Sequence, residues 1–249
     1  MTGILPILII VLLLMPIASS DTIASEDSFN ASNLSAENRS WKAEEVFDFP
    51  DDHVLHQPQE VVTDSKLFAE WLYWTGILHD EETGKPYGIQ YTLFQMDLQP
   101  GLMAFINHVA ISDVYNSQHP FYGYSILPEQ ANITSGTDGN KGAYWRYEDN
   151  QTNLTYWSEL DYWNIETRGS ASVGGGKSQS ISMNLTIAND KADYHLQSPN
   201  GITELGTCLS IGSDAMAGRS YYYSHPAMTT SGTITIGRRT INVTGDSWF

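Results

Sequence analysis

From Ile181 to Ile187 the chain alternates strictly: Ile181, Met183, Leu185 and Ile187 are apolar, while Ser182, Asn184 and Thr186 between them are polar. A two-residue period sorts these sets onto the two faces of a β-strand and leaves no stripe for an amphipathic helix. The pattern returns late in the sequence, where Ile241 and Val243 alternate with Asn242 and Thr244. Other segments rich in aromatic and β-branched residues also read as strands: 68–79, 86–97, 102–114, 142–148, 154–163, 178–188, 192–197, 207–211, 220–224, 228–236 and 239–244. The Gly-bearing loop 80–85 makes a hairpin of the first two, and Asn189-Asp190 and Pro199-Asn200-Gly201 are further turns. No segment offers a long amphipathic helix. Short strands at meander spacing predict an all-β barrel or sandwich.

The first strand departs from simple alternation. Phe68, Leu72, Trp74 and Leu78 share one face, and Trp71, Tyr73 and Ile77 share the other. Such a strand is buried on both sides, as in a barrel whose outside packs against another body. Charge narrows the function classes. With 29 Asp and Glu against 12 Lys and Arg, the net charge is −17, which repels phosphate backbones and excludes DNA or RNA as partners. The single cysteine, Cys208, can form no internal disulfide and reads as a small buried hydrophobe. No Cys/His spacing suits a metal, and nothing calls for a cofactor.

Residues 4–17 are an apolar run broken only by Pro6 and Pro16, followed by Ala18-Ser19-Ser20. Fourteen residues span about 21 Å as a helix, short of the roughly 30 Å hydrocarbon core. The run and its small-residue tail predict a secretory signal peptide over 1–20, with an uncleaved membrane anchor as the alternative. Eight N-x-S/T sequons, at Asn30, Asn33, Asn38, Asn132, Asn150, Asn153, Asn184 and Asn242, predict a secreted glycoprotein. Residues 21–60 carry ten acids against two bases and no apolar period, which predicts a solvated linker before a domain over 61–249.

Two places could carry chemistry. His108 alternates with Leu102, Ala104, Ile106 and Ala110 on an apolar face, so it is either a proton-transfer group in a cavity or a satisfied core histidine. Trp157, Glu159, Asp161 and Trp163 fall on one face of the expected strand 154–163. Two carboxylates between indoles can raise one pKa, as protonation of an alkene requires; a solvent-facing pair of acids is the alternative. The Gly174-Gly175-Gly176 run lacks the strand-to-helix context of a phosphate cradle, and there is no Gly-x-Ser-x-Gly elbow.

Several motifs occur in a recognisable order. Glu70-Trp71-Leu72-Tyr73-Trp74-Thr75-Gly76 and Tyr87-Gly88-Ile89-Gln90-Tyr91-Thr92-Leu93-Phe94 resemble the opening E-W-W-Y-x-x-G and F-G-x-Q-x-x-F-F of the AttH/CrtC family. His108-Val109-Ala110-Ile111-Ser112-Asp113, then Tyr222-Tyr223-Ser224-His225-Pro226-Ala227-Met228 with Gly232, and Val243-Thr244-Gly245-Asp246-Ser247-Trp248 resemble its later elements. That family includes carotenoid 1,2-hydratase (hydroxyneurosporene synthase) and proteins labelled only as predicted secreted hydrolases. The resemblance implies a calycin (lipocalin-like) antiparallel β-barrel, the first of two such domains, with an apolar cavity for an isoprenoid, polyene or lipid-like small molecule. On that reading Trp71, Tyr73, Trp74, Phe94, Trp157 and Tyr223 line the cavity. Glu159 or Asp161, with His108, would hydrate or isomerise a C=C bond while Tyr222 positions water; a non-catalytic binding or cell-surface module is the alternative. Leu72 replaces the second Trp of the W-W-Y motif. The sequence stops at Phe249 before the family's acidic element and second barrel, as either a fragment or a chain that has lost that domain would, so a second domain or a second copy is the expected protein partner.

Overall fold

The structure is a computed structural model that describes residues 47, 49, 51–56, 69–99, 102–172, 177–191, 193–197, 201–204, 210, 211, 214, 215 and 219–249. The expected signal peptide, most of the expected linker, Asn30, Asn33, Asn38, Cys208 and Gly174-Gly175-Gly176 lie outside these residues.

Nine strands follow the first described segments: β1 (Ala69–Asp80), β2 (Pro86–Gln99), β3 (Leu102–Asp113), β4 (Phe121–Ile126), β5 (Asn132–Asp138), β6 (Gly142–Glu148), β7 (Thr152–Trp157), β8 (Tyr162–Ser172) and β9 (Ser178–Ala188). Three two-stranded ladders come next, pairing β10 (His195–Leu196) with β15 (Tyr223–Ser224), β11 (Ile202–Glu204) with β14 (Arg219–Tyr221), and β12 (Ser210–Ile211) with β13 (Asp214–Ala215). β16 (Met228–Ile236) and β17 (Arg239–Trp248) complete the chain.

The main sheet runs β4-β3-β2-β1-β17-β16-β9-β8-β7-β6-β5, and β4 also meets β8, at Phe121 opposite Ser172. Strands β1–β4, β8, β9, β16 and β17 therefore close into an eight-stranded antiparallel barrel of lipocalin type. β8 divides its edge: Tyr162–Thr167 pairs with β7, and Ser172 meets β4. The β5–β7 meander leaves the ring at this fork and packs Tyr147, Leu154 and Tyr156 into the common core.

Alternation decides what fills the barrel. Leu72, Trp74 and Leu78 of β1, Tyr91 and Leu93 of β2, Trp163 and Ile165 of β8, Met183 and Leu185 of β9, and Ile241 and Val243 of β17 are all buried in one core. Trp74 packs edge-on against Trp163 at 4.8 Å, and Trp163 stacks on Tyr156 at 4.7 Å, so aromatic rings occupy the interior. Asn107 is buried among them. It accepts the Tyr91 hydroxyl at 2.8 Å and donates to that of Tyr147 at 3.1 Å, which satisfies a polar group inside the barrel.

Two motif glycines are explained by close approach. A Cβ on Gly245 of β17 would run into the Ile77 carbonyl and the Leu78 Cα of β1, so this residue sets the spacing of that pair. Gly232 of β16 has φ 143°, and a Cβ there would strike the Asn184 carbonyl.

Several sequence expectations are corrected. Residues 154–163 are not one strand: β7 ends at Trp157, Ser158–Asp161 form a turn with Asp161 at φ 46°, and β8 begins at Tyr162. Strands β4 and β5 were not foreseen. The 51–56 part of the acidic stretch 21–60 is folded rather than solvated, because a 3-10 turn (Asp51–His53) leads to buried His53 and Leu55.

Candidate functional site

One end of the barrel, where β1 begins and β17 ends, is closed by aromatic and imidazole side chains that span the whole sequence. The 3-10 turn Asp51–His53 directs His53 inward, and the next residues bring in Leu55. His56 holds this strap to the wall: its Nε2 lies 2.7 Å from Asp52 Oδ1 and its Nδ1 2.6 Å from Glu70 Oε1. Its backbone carbonyl accepts a hydrogen bond from Gln95 Nε2 at 3.0 Å.

The inner layer is a chain of polar contacts. The Tyr223 hydroxyl donates to the Asp52 carbonyl at 3.0 Å and lies 2.8 Å from His53 Nδ1. A hydroxyl has one proton and a carbonyl only accepts, so Nδ1 of His53 carries the hydrogen and donates to Tyr223. Burial, reinforced by His225, lowers the His53 pKa to about 4 against the opposing pull of Asp161 and Asp52, so the ring is neutral at pH 7. His225 crosses His53 nearly perpendicularly at 4.9 Å and stacks on Tyr194 at 5.6 Å. Burial lowers its pKa too, and its Nε2 has no hydrogen-bond partner among the described residues. The Tyr156 hydroxyl donates to Asp161 Oδ1 at 2.9 Å, and Asn189 Nδ2 donates to Oδ2 at 2.7 Å. Burial first, then Asp161, holds the Tyr156 hydroxyl well above its usual range.

Aromatic rings surround this layer. Phe49 lies 4.0 Å from Tyr194 and 4.7 Å from Tyr223, and Phe47 stacks on Phe49. The Phe249 ring reaches Trp74 at 5.0 Å, Tyr223 at 5.5 Å and His225 at 6.4 Å. Trp74 Nε1 is buried and, like His225 Nε2, unpartnered among the described residues. Two neutral imidazoles beside a bound carboxylate can accept or relay a proton, but the strap rings fill the space in which a ligand would sit.

The expected site residues fall in different places. Trp71, Tyr73 and Phe94 point outward from β1 and β2, and Trp71 meets Phe94 at 6.2 Å. Trp157 is also on the outer face, beneath Lys141 at 4.7 Å and donating to Asn164 at 3.0 Å. These four therefore do not line an interior cavity: neighbouring residues of a strand face opposite ways, and the inward place in β1 belongs to Trp74. Tyr223 stands at the mouth. His108 is also on the outer face, buried between Phe94 at 5.3 Å and Phe121 at 5.4 Å, and that burial lowers its pKa. Glu159 is exposed in the β7–β8 turn with its carboxylate against Gly142, whereas Asp161 turns toward the imidazoles, so the two acids do not share a strand face. Tyr222 is exposed beside the mouth. His53, His56, Asn189 and Tyr194 were not foreseen. His53 and Tyr194 meet partners far away in sequence, and Asn189 meets Asp161 across 28 residues. The short spacing of His56 from Asp52 and Glu70 falls in an acidic stretch with no strand or helix period to signal it.

Two clefts, of about 340 and 160 Å³, open at the opposite end. Asp80, Arg239 and Asn242 wall the first, and Asp113, Gln179 and Arg239 the second, so both are polar surface features. Among the described residues no group of metal-ligating side chains is present, and no helix is long and apolar enough to cross a membrane.

Comparison with known proteins agrees with the fold. A crystal structure of a Nitrosomonas europaea protein, described as a candidate AttH, superposes with a TM-score of 0.55 at 23% identity, over 81% of this chain. The match takes in 53% of that protein, so this chain spans about half its length. No curated protein matches the chain. The AttH-like family profile matches residues 40–249, which take in the barrel, the strap and the five motifs from Glu70 to Trp248. The chain belongs to the AttH-like family.

Proposed function

We propose that the barrel is a non-catalytic binding module for an apolar ligand, seated at the mouth that Phe47, Phe49 and residues 51–56 of the strap fill. The observation that carries this reading is a pair of buried groups, Trp74 Nε1 and His225 Nε2, that have no partner among the described residues and whose rings both pack on Phe249. A buried polar group without a partner costs about 1–3 kcal/mol, and an apolar ligand with a hydroxyl or carbonyl end would recover part of that cost. Phe47 and Phe49 occupy the seat with the ring surface such a ligand would offer, so binding exchanges the strap for the ligand. Binding fits better than hydration or isomerisation of a C=C bond. Both oxygens of Asp161 already accept hydrogen bonds, and Glu159 faces solvent, so neither acid is presented to an alkene at the mouth.

The reading includes secretion and N-glycosylation. It is supported by the apolar run 4–17 with its small-residue tail, and by the exposed placement of Asn132, Asn150, Asn184 and Asn242.

The test titrates the full chain and its Phe49→Ala variant with all-trans-retinol and follows tryptophan emission. Saturable quenching is expected, about tenfold tighter in the variant because one ring of the strap is lost. Absence of saturable quenching in both proteins would overturn the proposal.

A further inference from the structure

Four of the sequons share one form, in which an aliphatic residue separates Asn from Thr: Asn132-Ile133-Thr134, Asn153-Leu154-Thr155, Asn184-Leu185-Thr186 and Asn242-Val243-Thr244. Each lies in a strand, β5, β7, β9 and β17 respectively. The aliphatic residue in the middle packs in or against the core, so alternation places every Asn and Thr on the outer wall.

The pairing registers bring these sites into line. Asn132 lies opposite Glu148, Glu148 opposite Asn153, and Asn153 opposite Glu166. Glu166 lies opposite Asn184, Asn184 opposite Thr233, and Thr233 opposite Asn242. One cross-strand row thus passes over seven adjacent strands and meets a sequon asparagine on every second strand. The hydroxyl residues form a matching row two residues along, in which Thr134 and Thr155 flank Arg146 and Thr186 and Thr244 flank Ser231. Adjacent strands are about 4.8 Å apart, so neighbouring asparagines are separated by roughly 10 Å. Asn132, Asn184 and Asn242 are exposed and Asn153 is half-buried. Strands β1–β4 contain no sequon.

We propose that Asn132, Asn153, Asn184 and Asn242 carry N-linked glycans that form one belt at a single level of the barrel. The inference rests on the secretory reading above. Sugar chains spaced this closely cover the outer wall of β5–β9, β16 and β17 and close it to protein partners, while β1–β4, with exposed Trp71, Ile77 and Phe121, stay uncovered.

The test expresses the full chain in a secreting eukaryotic cell line and releases the glycans with peptide-N-glycosidase in heavy-oxygen water. Each occupied asparagine then becomes a labelled aspartate that peptide mass spectrometry locates. Label at three or four of the belt positions is the expected result. Label at Asn150, Asn30, Asn33 or Asn38 with two or fewer belt positions marked overturns the belt and leaves secretion standing. No label at any of the eight sequons overturns the secretory reading and the belt together. In parallel, Thr134→Val, Thr186→Val and Thr244→Val each remove one sequon but keep a strand-forming residue, and each should lower the secreted mass by one glycan.

Discussion

His56 and Glu70 are joined twice: the ring Nδ1 lies 2.6 Å from Oε1, and the backbone N–H of His56 donates to Oε2 at 2.8 Å. With Asp52 on Nε2, the imidazole is held between two carboxylates, and the Asp52 hydrogen bond, followed by that of Glu70, raises its pKa to about 10. The folded value lies above the ordinary 6.5 of an unfolded chain, so the folded state binds the proton more tightly. The resulting stabilisation is complete below pH 6.5 and disappears as pH rises toward 10. His56→Gln should cost on the order of 2 kcal/mol near pH 6 and progressively less up to pH 10. Urea denaturation of both proteins across that range checks the convergence; a gap that does not depend on pH would refute it.

His53 acts in the opposite sense. Its folded pKa of about 4 lies below the unfolded value of 6.5, so between these limits the unfolded chain takes up a proton that the folded one refuses. Stability falls as pH drops through this window, and His225, also lowered by burial, adds to the fall. His53→Gln removes the titration, so the loss between pH 6.5 and 4 should shrink by on the order of 2 kcal/mol. Thermal midpoints at half-unit pH steps measure the two slopes, and equal slopes would count against a neutral His53.

Gly245→Ala tests the contact between β1 and β17. The added methyl meets backbone atoms of Ile77 and Leu78, which cannot rotate away as a side chain can. A loss of about 1–3 kcal/mol is expected. Gly139→Ala is the control, since a Cβ there meets nothing within 4 Å and the unfolding midpoint should barely move.

Much of the wall is legible in the sequence, because local alternation is all that defines it. β6, β9 and β16 have the limits that their patterns predict, whereas the two-sided burial expected of β1 does not hold: Leu72, Trp74 and Leu78 are buried, but Trp71 and Ile77 on the other face are exposed. The turn between β7 and β8 was hidden because Ser158-Glu159-Leu160-Asp161 contains neither Gly nor Pro, and an aspartate supplies the left-handed residue. The polar Asn132–Asp138 run of β5 lacks the apolar alternation by which strands are recognised. The mouth was out of reach for another reason. His53 meets Tyr223 across 170 residues, and an acidic stretch offers no sign that two of its histidines are buried or clamped. The same limit applies to the supposed cavity. The aromatic residues were found, but only the closed barrel assigns Trp74 to the inside and Trp71, Tyr73 and Phe94 to the outside.

The ring is closed at β4 and β8 by one backbone rung, Phe121 to Ser172, where neighbouring strands elsewhere share a ladder. Side chains fasten the rest of that seam. The Tyr122 hydroxyl lies 2.8 Å from Thr167 Oγ1, its ring fills the place a Cβ on Gly169 would take, and the Tyr124 hydroxyl donates to Asp149 at 2.9 Å. Every other joint of the cylinder is written in peptide groups, which substitution leaves in place. This one rests on a single rung and on phenols, so exchange of Tyr122 for phenylalanine loosens this seam and leaves the peptide ladders of every other pair of strands intact.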